Sequence, residues 1–307
     1  MILVTNNEGY PGIGHSARML VDGHAAIDAI EAGIRLVESD ERVRTVGQGG
    51  WANLLGEVEL DAAIMDGTSL RTGAVGAVTG YLHPISVARQ VLERLPHELL
   101  VGEGAERFAR ETGAEAGDNL VPDSRRVWSE WFERNISGEQ RAAWPDIPLA
   151  EYCKQAIDPE VPKGTTVFIA RDGNGRIASG TSTSGWQWKY PGRLGDSPVI
   201  GAGSYAHSRY GACACTGAGE MTIRCGTARA VVLYMKRGAS VADAVYEAVQ
   251  DMRDLAGGLI SRVTIHAIDT RDNHKVVAVN GSAANTYWIW REGDDAPSTH
   301  PAEAIAL

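Results

Sequence analysis

The sequence predicts a layered α+β protein, because its strand-like runs and its helix-like stretches each cluster rather than alternate along the chain. The strand-like runs are short and apolar, whereas the helix-like stretches carry apolar residues at helical spacing. A Pro-interrupted polar stretch, residues 113–163, separates the two halves. The 307 residues suffice for one large domain or two ordinary ones, and no repeat at a period of about 20 to 50 residues is apparent.

The first half opens with a predicted strand at 2–5, a glycine-rich loop and a helix at 25–38, where apolar residues recur every three or four positions. Asp61 to Gly67 reads as a strand that ends in a turn, and the glycine-flanked run 72–78 as a strand packed closely beneath helices. Further helices are predicted at 83–95, where proline occupies the first turn, and at 105–112.

The stretch from 113 to 163 is predicted to be an irregular, partly helical connector, because five prolines interrupt it. Apolar runs then return, and with them two further amphipathic stretches. Strands are predicted at 166–170, 177–183, 263–268, 275–279 and 287–290, and helices at 221–237 and 241–255.

Charge and composition exclude several classes of function. The chain has 29 Lys and Arg against 39 Asp and Glu, a net charge of −10 without long blocks of one sign, so nucleic acid and anionic membranes are poor candidate partners. No apolar run reaches the roughly 18 residues of a membrane helix, and the N-terminus lacks a secretory pattern, so we expect a cytoplasmic protein. The spacing of the four cysteines favours reduced thiols over disulfides or a metal site.

Gly164 and Thr165 precede a predicted strand and could supply a self-generated nucleophile. A threonine hydroxyl is weakly nucleophilic near neutral pH, and its own α-amine at a chain start is one known activator. That amine has a pKa of about 7.7 to 8.0, which suits a general base. Thr165 gains it only if the Gly164–Thr165 bond is cut, and glycine permits a strained backbone there. Such a pair is commonplace before a strand, but its order with the motifs that follow it up to Glu220 points to a self-cleaving amidohydrolase.

Motifs on both sides of this pair carry a resemblance to a known family. They lie at 60–67, 72–78, 83–92, 99–105, 180–185, 192–198 and 215–219. In this order they strongly resemble the glycosylasparaginase (aspartylglucosaminidase) branch of the N-terminal nucleophile hydrolases, whose close relatives are plant-type asparaginases and isoaspartyl aminopeptidases. The resemblance implies a single domain over residues 1–307 that folds as a four-layer αββα sandwich. It also implies a precursor that cuts itself into an α-subunit, 1–164, and a β-subunit, 165–307. A dimer of processed αβ units is expected by analogy.

The resemblance also implies roles for individual residues. Counting back from the Gly-Thr-Ser-Thr motif at 180–183 puts the nucleophile on Thr165, although a one-residue indel would put it on Thr166. The other implied roles are a hydrogen bond to the nucleophile from Thr183, an oxyanion hole from the Thr216 hydroxyl and the Gly217 N–H, and a clamp on the substrate's α-carboxylate and α-ammonium from Arg193 and Asp196. Standing alone, Arg193 and Asp196 would read as a solvated loop ion pair.

The implied reaction is hydrolysis of the side-chain amide of asparagine or an N4-substituted asparagine, releasing aspartate, with no cofactor or metal. The alternative within the same fold is an isoaspartyl aminopeptidase or L-asparaginase, and the sequence leaves the leaving group open. An uncut, non-catalytic binding protein is a second alternative, motivated by Lys163 and by the bulky Thr166 and Val167. Glycine-rich segments at 12–17 and 201–206 are weak matches to a dinucleotide fingerprint, because neither joins a strand directly to a helix.

Overall fold

The computed structural model describes residues 1–154, 164–282 and 284–307. The strands of these residues are β1 (Ile2–Asn6), β2 (Leu60–Asp66), β3 (Thr72–Val78), β4 (Leu99–Val101), β5 (Thr166–Arg171), β6 (Ile177–Thr183), β7 (Ser204–His207), β8 (Gly211–Gly217), β9 (Val263–Asp269), β10 (His274–Val279), β11 (Thr286–Arg291), β12 (Ser298–Pro301) and β13 (Glu303–Ile305). The helices are α1 (Ile13–Val21), α2 (Ala26–Glu38), α3 (Pro84–Arg94), α4 (Gly102–Glu111), α5 (Pro122–Asn135), α6 (Gly138–Ala142), α7 (Ala150–Cys153), α8 (Gly219–Cys225), α9 (Thr227–Lys236) and α10 (Val241–Arg253).

The strands form two sheets, and the predicted mixture of sheets and helices is confirmed. The larger sheet has eight strands in the order β12-β11-β1-β5-β6-β2-β3-β4, and the smaller has five in the order β13-β10-β9-β8-β7. Strand β5 lies between β1 and β6 and is antiparallel to both. The residues that follow the Gly164–Thr165 bond therefore start a central strand of the larger sheet.

Apolar side chains form three main clusters that follow the sheets. One packs one face of the larger sheet against α1 to α4, as Ile30, Ile34 and Phe168 show. Another packs the smaller sheet against α8 to α10, and a third contains residues of both sheets, among them Val167 and Ala214. Each sheet thus buries apolar residues on both faces, which is why β5 and β8 read as nearly continuous runs of buried residues. Within the described residues, no helix combines the length and hydrophobicity of a membrane span.

The predicted glycine-rich loop after β1 is wrong in part, because it contains helix α1. Ile13, Ala17 and Leu20 are buried at helical spacing, and the Ser16 hydroxyl donates to the carbonyl of Ala29 in α2 at 2.7 Å. Gly12 marks the closest approach, since a Cβ there would meet the Gly33 carbonyl oxygen at 2.0 Å. These glycines therefore allow two helices to pack closely rather than forming a loop.

Three further predictions need correction. The helix expected at 221–237 is divided into α8 and α9 by Gly226, whose φ of +60° ends the first helix. Strands β7 and β8 stand where no strand was predicted, because glycine, alanine and cysteine give β8 little strand character in sequence. The connector is more helical than predicted, since α5 spans fourteen residues and packs Trp131 on Trp188 with ring centroids 4.8 Å apart. Its last part, including Lys163, lies outside the described residues.

Candidate active site

A small cavity at the start of β5 brings together most of the residues that the sequence singled out. Its empty volume is about 190 Å³. It is lined by Gly164, Thr165, Thr183, Gly185, Trp186, Arg193, Gly195, Asp196, Ser197 and Gly217. Five of the six residues with predicted catalytic or substrate-binding roles therefore share one cavity, and the sixth, Thr216, precedes Gly217 on β8.

The backbone around Thr165 is held by the side chain of Asn6, at the end of β1. Asn6 Nδ2 donates to the Thr165 carbonyl oxygen at 2.6 Å, and Asn6 Oδ1 accepts from the Val167 N–H at 3.1 Å. One amide group thus satisfies two backbone groups where β5 begins, both of them buried. This clamp fixes the residue that follows the candidate cleavage site.

Thr165 and Thr166 have different surroundings, although sequence counting could exchange them. Thr165 lines the cavity, whereas Thr166 is fully buried, pairs with Ser182 in the sheet and directs its hydroxyl toward Asn6 Oδ1 at 3.5 Å. Successive side chains of a strand point to opposite faces, so only one of the two can face the cavity. The geometry favours Thr165 as the nucleophile.

The Thr183 hydroxyl lies at the carbonyl of the bond that would be cut. Its Oγ1 donates to the Gly164 carbonyl oxygen at 2.7 Å and accepts from the Gly185 N–H at 2.9 Å. The accepted hydrogen bond orients the hydroxyl, and the donated one polarises the carbonyl toward nucleophilic attack. The observed partner of Thr183 is therefore the carbonyl of the candidate cleavage site, rather than the Thr165 hydroxyl expected from the sequence.

Arg193 is paired with an acidic residue that the sequence did not single out. Its Nη2 lies 2.8 Å from Glu220 Oε1, and its guanidinium carbon lies 4.5 Å from the centre of the Trp186 ring. The Arg193 side chain is 17% exposed and that of Glu220 36%, so the cation faces the cavity while remaining partly open to water. A loop ion pair with Asp196, the alternative for these residues taken alone, is not the arrangement found for Arg193.

Asp196 is buried beside Arg193 and is held by a hydroxyl. Thr222 Oγ1 donates to Asp196 Oδ2 at 2.8 Å, and the residue is 3% exposed. Burial raises the pKa of Asp196 to about 6, although the Thr222 hydrogen bond and the charge of Arg193 both oppose this rise. A cation bound in the cavity would favour the charged carboxylate.

Two glycines of the 215–219 segment are required by close contacts. Gly217 has a φ of +109°, and a Cβ there would meet the Arg262 carbonyl oxygen at 2.4 Å. At Gly219 a Cβ would lie 2.7 Å from Asp196 Oδ1. These contacts let the end of β8 approach the cavity closely, and the oxyanion-hole role of Thr216 and Gly217 stays a prediction.

Comparison with known proteins identifies the family to which this chain is related. The sequence model of the asparaginase family matches residues 13–295. The chain belongs to the asparaginase family. The predicted membership in the group of asparaginases, isoaspartyl peptidases and glycosylasparaginases is thereby confirmed, as is the prediction of an amidohydrolase.

Individual members of the asparaginase family are similar over most of their length. A plant-type L-asparaginase of Pyrococcus abyssi is 38% identical over 277 residues, 89% of this chain and 86% of the relative. An isoaspartyl peptidase of Salmonella typhimurium is 36% identical over 283 residues, 92% of this chain and 86% of the relative. An N(4)-(beta-N-acetylglucosaminyl)-L-asparaginase of Elizabethkingia miricola is 37% identical over 250 residues, 81% of this chain and 68% of the relative.

Sequence reasoning missed several side chains of this asparaginase-family site. Asn6, Glu8 and Thr45 come from segments far from the 164–220 region, and only the fold brings Asn6 to Thr165 and the other two to Gly164. Glu220 directly follows the Gly217-Ala218-Gly219 motif, so its position next to a glycine turn was the one signal that could have found it. An isolated Glu or Asn carries no periodicity that would distinguish it from a surface residue.

Proposed function

We propose that this chain is a self-cleaving amidohydrolase that hydrolyses the side-chain amide of asparagine or of an N4-substituted asparagine and releases aspartate. The observation that carries the proposal is the shared cavity, in which the Gly164–Thr165 bond, the Thr183 hydroxyl, Arg193 and Asp196 meet. The names of the relatives agree with this class of substrate. In this proposal, neither the self-cleavage nor the hydrolysis of the substrate needs a cofactor or a metal.

The proposed fold is the four-layer αββα sandwich of N-terminal nucleophile hydrolases. It is supported by apolar clusters on the helix side of each sheet and by a third cluster with residues of both sheets. In this fold the precursor becomes an α-subunit of residues 1–164 and a β-subunit of residues 165–307. Pairing of two processed units into a homodimer remains part of the proposal by analogy.

The first step of the mechanism makes the catalyst. The Thr165 hydroxyl attacks the Gly164 carbonyl carbon, and the Thr183 hydroxyl stabilises the charge that develops on the carbonyl oxygen. The C–N bond breaks to give an ester, and water opens the ester to a Gly164 carboxylate and a free Thr165. The new α-amine can then act as the general base for the same hydroxyl.

In the second step Thr165 attacks the side-chain amide carbon of the substrate. The α-amine takes the hydroxyl proton and returns it to the departing amine, and water then hydrolyses the acyl-enzyme to aspartate. Gly217 N–H and the Thr216 hydroxyl would hold the oxyanion at this stage. Arg193 and Asp196 would bind the α-carboxylate and α-ammonium, which explains why a cation and a carboxyl share the cavity.

A second cavity adjoins the first on the side of Arg193. It has an empty volume of about 480 Å³, shares Trp186 and Arg193 with the first, and has mainly apolar walls that include Tyr190. Because Arg193 is proposed to bind the amino-acid end of the substrate, this cavity adjoins that end, and the identity of the leaving group is left to experiment. The test is aspartate release from asparagine, glycosylasparagine and β-aspartyl dipeptides by the purified, processed protein. Activity on none of the three would contradict the proposal.

We expect Thr183→Val to slow self-cleavage by about 10²- to 10³-fold, because valine keeps the shape but removes the donor to the Gly164 carbonyl. The measurement follows the intact chain after a pulse of cell-free synthesis. Thr181→Val is the matched control, since Thr181 on the same strand donates to the Ser197 carbonyl at 2.8 Å instead. Equal rates for both variants would contradict the role of Thr183.

We expect the protonation of the Asp196 carboxyl to be visible in the pH dependence of kcat/KM. Below pH 6 its carboxyl becomes neutral and cannot pair with an ammonium group, so kcat/KM falls as the pH drops. The Thr165 α-amine, with a pKa of about 7.7 to 8.0, also loses its function as the pH falls. The slope of log kcat/KM against pH should therefore steepen from one to two below pH 6. In Asp196→Asn the change of slope near pH 6 should vanish. If the change of slope persists, a group other than Asp196 causes it.

A further inference from the structure

A carboxyl group outside the predicted site lies directly against the scissile bond. Glu8 belongs to the short 3₁₀ turn Asn7–Gly9 that follows β1. A Cβ built on Gly164 would lie 2.4 Å from Glu8 Oε1 and 2.7 Å from Thr45 Oγ1. Both side chains therefore contact the Gly164 Cα, and a side chain at residue 164 would displace the carboxyl.

The surroundings of this carboxyl are those of a group poised to transfer a proton. Glu8 Oε2 and Thr45 Oγ1 are buried, and within the described residues neither makes a hydrogen bond of regular geometry, although Thr45, Asn6 and the Thr165 backbone approach the carboxyl closely enough to oppose the rise of its pKa. Leaving a buried carboxyl oxygen unpaired is costly, so its position at a reacting bond calls for a chemical explanation. Within the described residues, the groups that face Glu8 are uncharged. They are the Thr45 hydroxyl, the Asn6 side chain and the Thr165 backbone.

Self-cleavage lacks the base that serves substrate hydrolysis. The α-amine of Thr165 does not exist until the Gly164–Thr165 bond is broken, so another group must move the proton in the uncut chain. Asp196, the carboxyl that lines the cavity, accepts a hydrogen bond from Thr222. Glu8 is the carboxyl that faces the Thr165 backbone.

We propose that Glu8 is the acid–base catalyst of self-cleavage, passing a proton between the hydroxyl and the nitrogen of Thr165. The inference rests on the proposed function. As Oγ bonds to the Gly164 carbonyl carbon, its proton passes to the Glu8 carboxylate. The C–N bond then breaks and the same proton goes to the Thr165 nitrogen, so Glu8 ends the step as it began. Water afterwards hydrolyses the ester to the Gly164 carboxylate and the Thr165 hydroxyl.

Two further observations support this role. The nitrogen and the hydroxyl belong to one residue and are separated only by Cα and Cβ, so one carboxyl can serve both when the Thr165 side-chain rotamer turns the hydroxyl toward it. Burial raises the pKa of Glu8 to about 7, against the opposing effect of Thr45, Asn6 and Thr165. Near neutral pH a substantial fraction of the chains therefore holds the carboxylate that accepts the proton, and the acid that forms is close to the pH at which it can return it.

The test measures the rate at which chains made by cell-free synthesis are cut, across pH 5 to 9. Wild type should show a rate that depends on pH with an inflection near 7. Glu8→Gln should be cut at least about 100-fold more slowly at every pH, and Glu8→Asp should recover part of the rate. Glu57→Gln, a change of an exposed glutamate, is the control and should behave like wild type.

A second measurement separates chemistry from folding. In the uncut Thr165→Ala background, burial of the Glu8 carboxylate costs stability as the pH rises from about 4.5 toward 7, because the folded state holds the proton more tightly than the unfolded state. Adding Glu8→Gln should remove this loss, so the double variant should unfold at a higher temperature at pH 8. The proposal would be overturned if Glu8→Gln slows self-cleavage and also lowers the unfolding temperature of the Thr165→Ala chain, because the slow cleavage would then reflect poor folding.

The outcomes also distinguish this inference from the function on which it rests. If Glu8→Gln is cut at the wild-type rate while Thr165→Ala stays whole, Glu8 has no catalytic role and the proposed function stands. If Thr165→Ala is cut as well, the proposed function itself fails.

Discussion

Thr165→Ala should leave the chain whole and lower amide hydrolysis by at least about 10⁴-fold, because one hydroxyl serves both self-cleavage and substrate attack. Alanine removes the hydroxyl and the γ-methyl group, and the clamp from Asn6 binds the Thr165 backbone rather than its side chain. The uncut variant should therefore remain folded. Mass spectrometry of the purified protein and aspartate release from an asparagine panel measure the two effects separately.

Thr166→Ala is the matched control for the neighbouring threonine. Thr166 is buried in the sheet and its hydroxyl faces Asn6 Oδ1, so this change should cost stability but leave self-cleavage in place. The opposite pattern, with Thr166→Ala uncut and Thr165→Ala processed, would move the nucleophile by one residue.

Arg193→Ala should leave self-cleavage intact and lower kcat/KM by about 30- to 1,000-fold. The guanidinium is proposed to bind the substrate's α-carboxylate, and removing one partner of a partly buried charge pair costs about 2 to 4 kcal/mol. The loss should appear mainly in KM, because Arg193 contacts the amino-acid end rather than the reacting carbonyl. Arg193→Lys should recover only part of it, since lysine lacks the planar fork and the stacking on Trp186.

Arg107→Ala provides the control for loss of a positive charge. Arg107 is 74% exposed, pairs with Glu111 on α4 and does not line the cavity. Its kinetics should match wild type. If the Arg193→Ala variant is not cut, Arg193 supports the scissile bond. If the variant is cut and has the KM of wild type, Arg193 does not bind the substrate.

Local sequence patterns were sufficient for most elements. Strands β5 and β6 and helices α2 and α10 follow directly from apolar runs or helical spacing, and each lies within two residues of its predicted bounds. Strand β8 did not follow, because its Gly-Ala-Cys-Ala-Cys sequence gains its strand character from burial between neighbours rather than from β-branched residues. The break at Gly226 was hidden because the apolar spacing continues across it.

The candidate site was predictable where its residues lie in one ordered region, and obscure where folding brings in distant segments. Thr165, Thr183, Arg193, Asp196 and Gly217 follow one another in the chain and meet at one cavity. The same cavity depends on Asn6 from β1, Glu8 from the following turn and Glu220 paired with Arg193. These partners are set by strand order, which no local pattern encodes.

The central claim is that the chain creates its own nucleophile by cutting the Gly164–Thr165 bond. The most direct test is intact mass and N-terminal sequencing of the purified protein after incubation at neutral pH. The account predicts two fragments, 1–164 and 165–307, the second beginning Thr165-Thr166-Val167. A single uncut chain that hydrolyses an asparagine derivative, or a second fragment with another first residue, would contradict it.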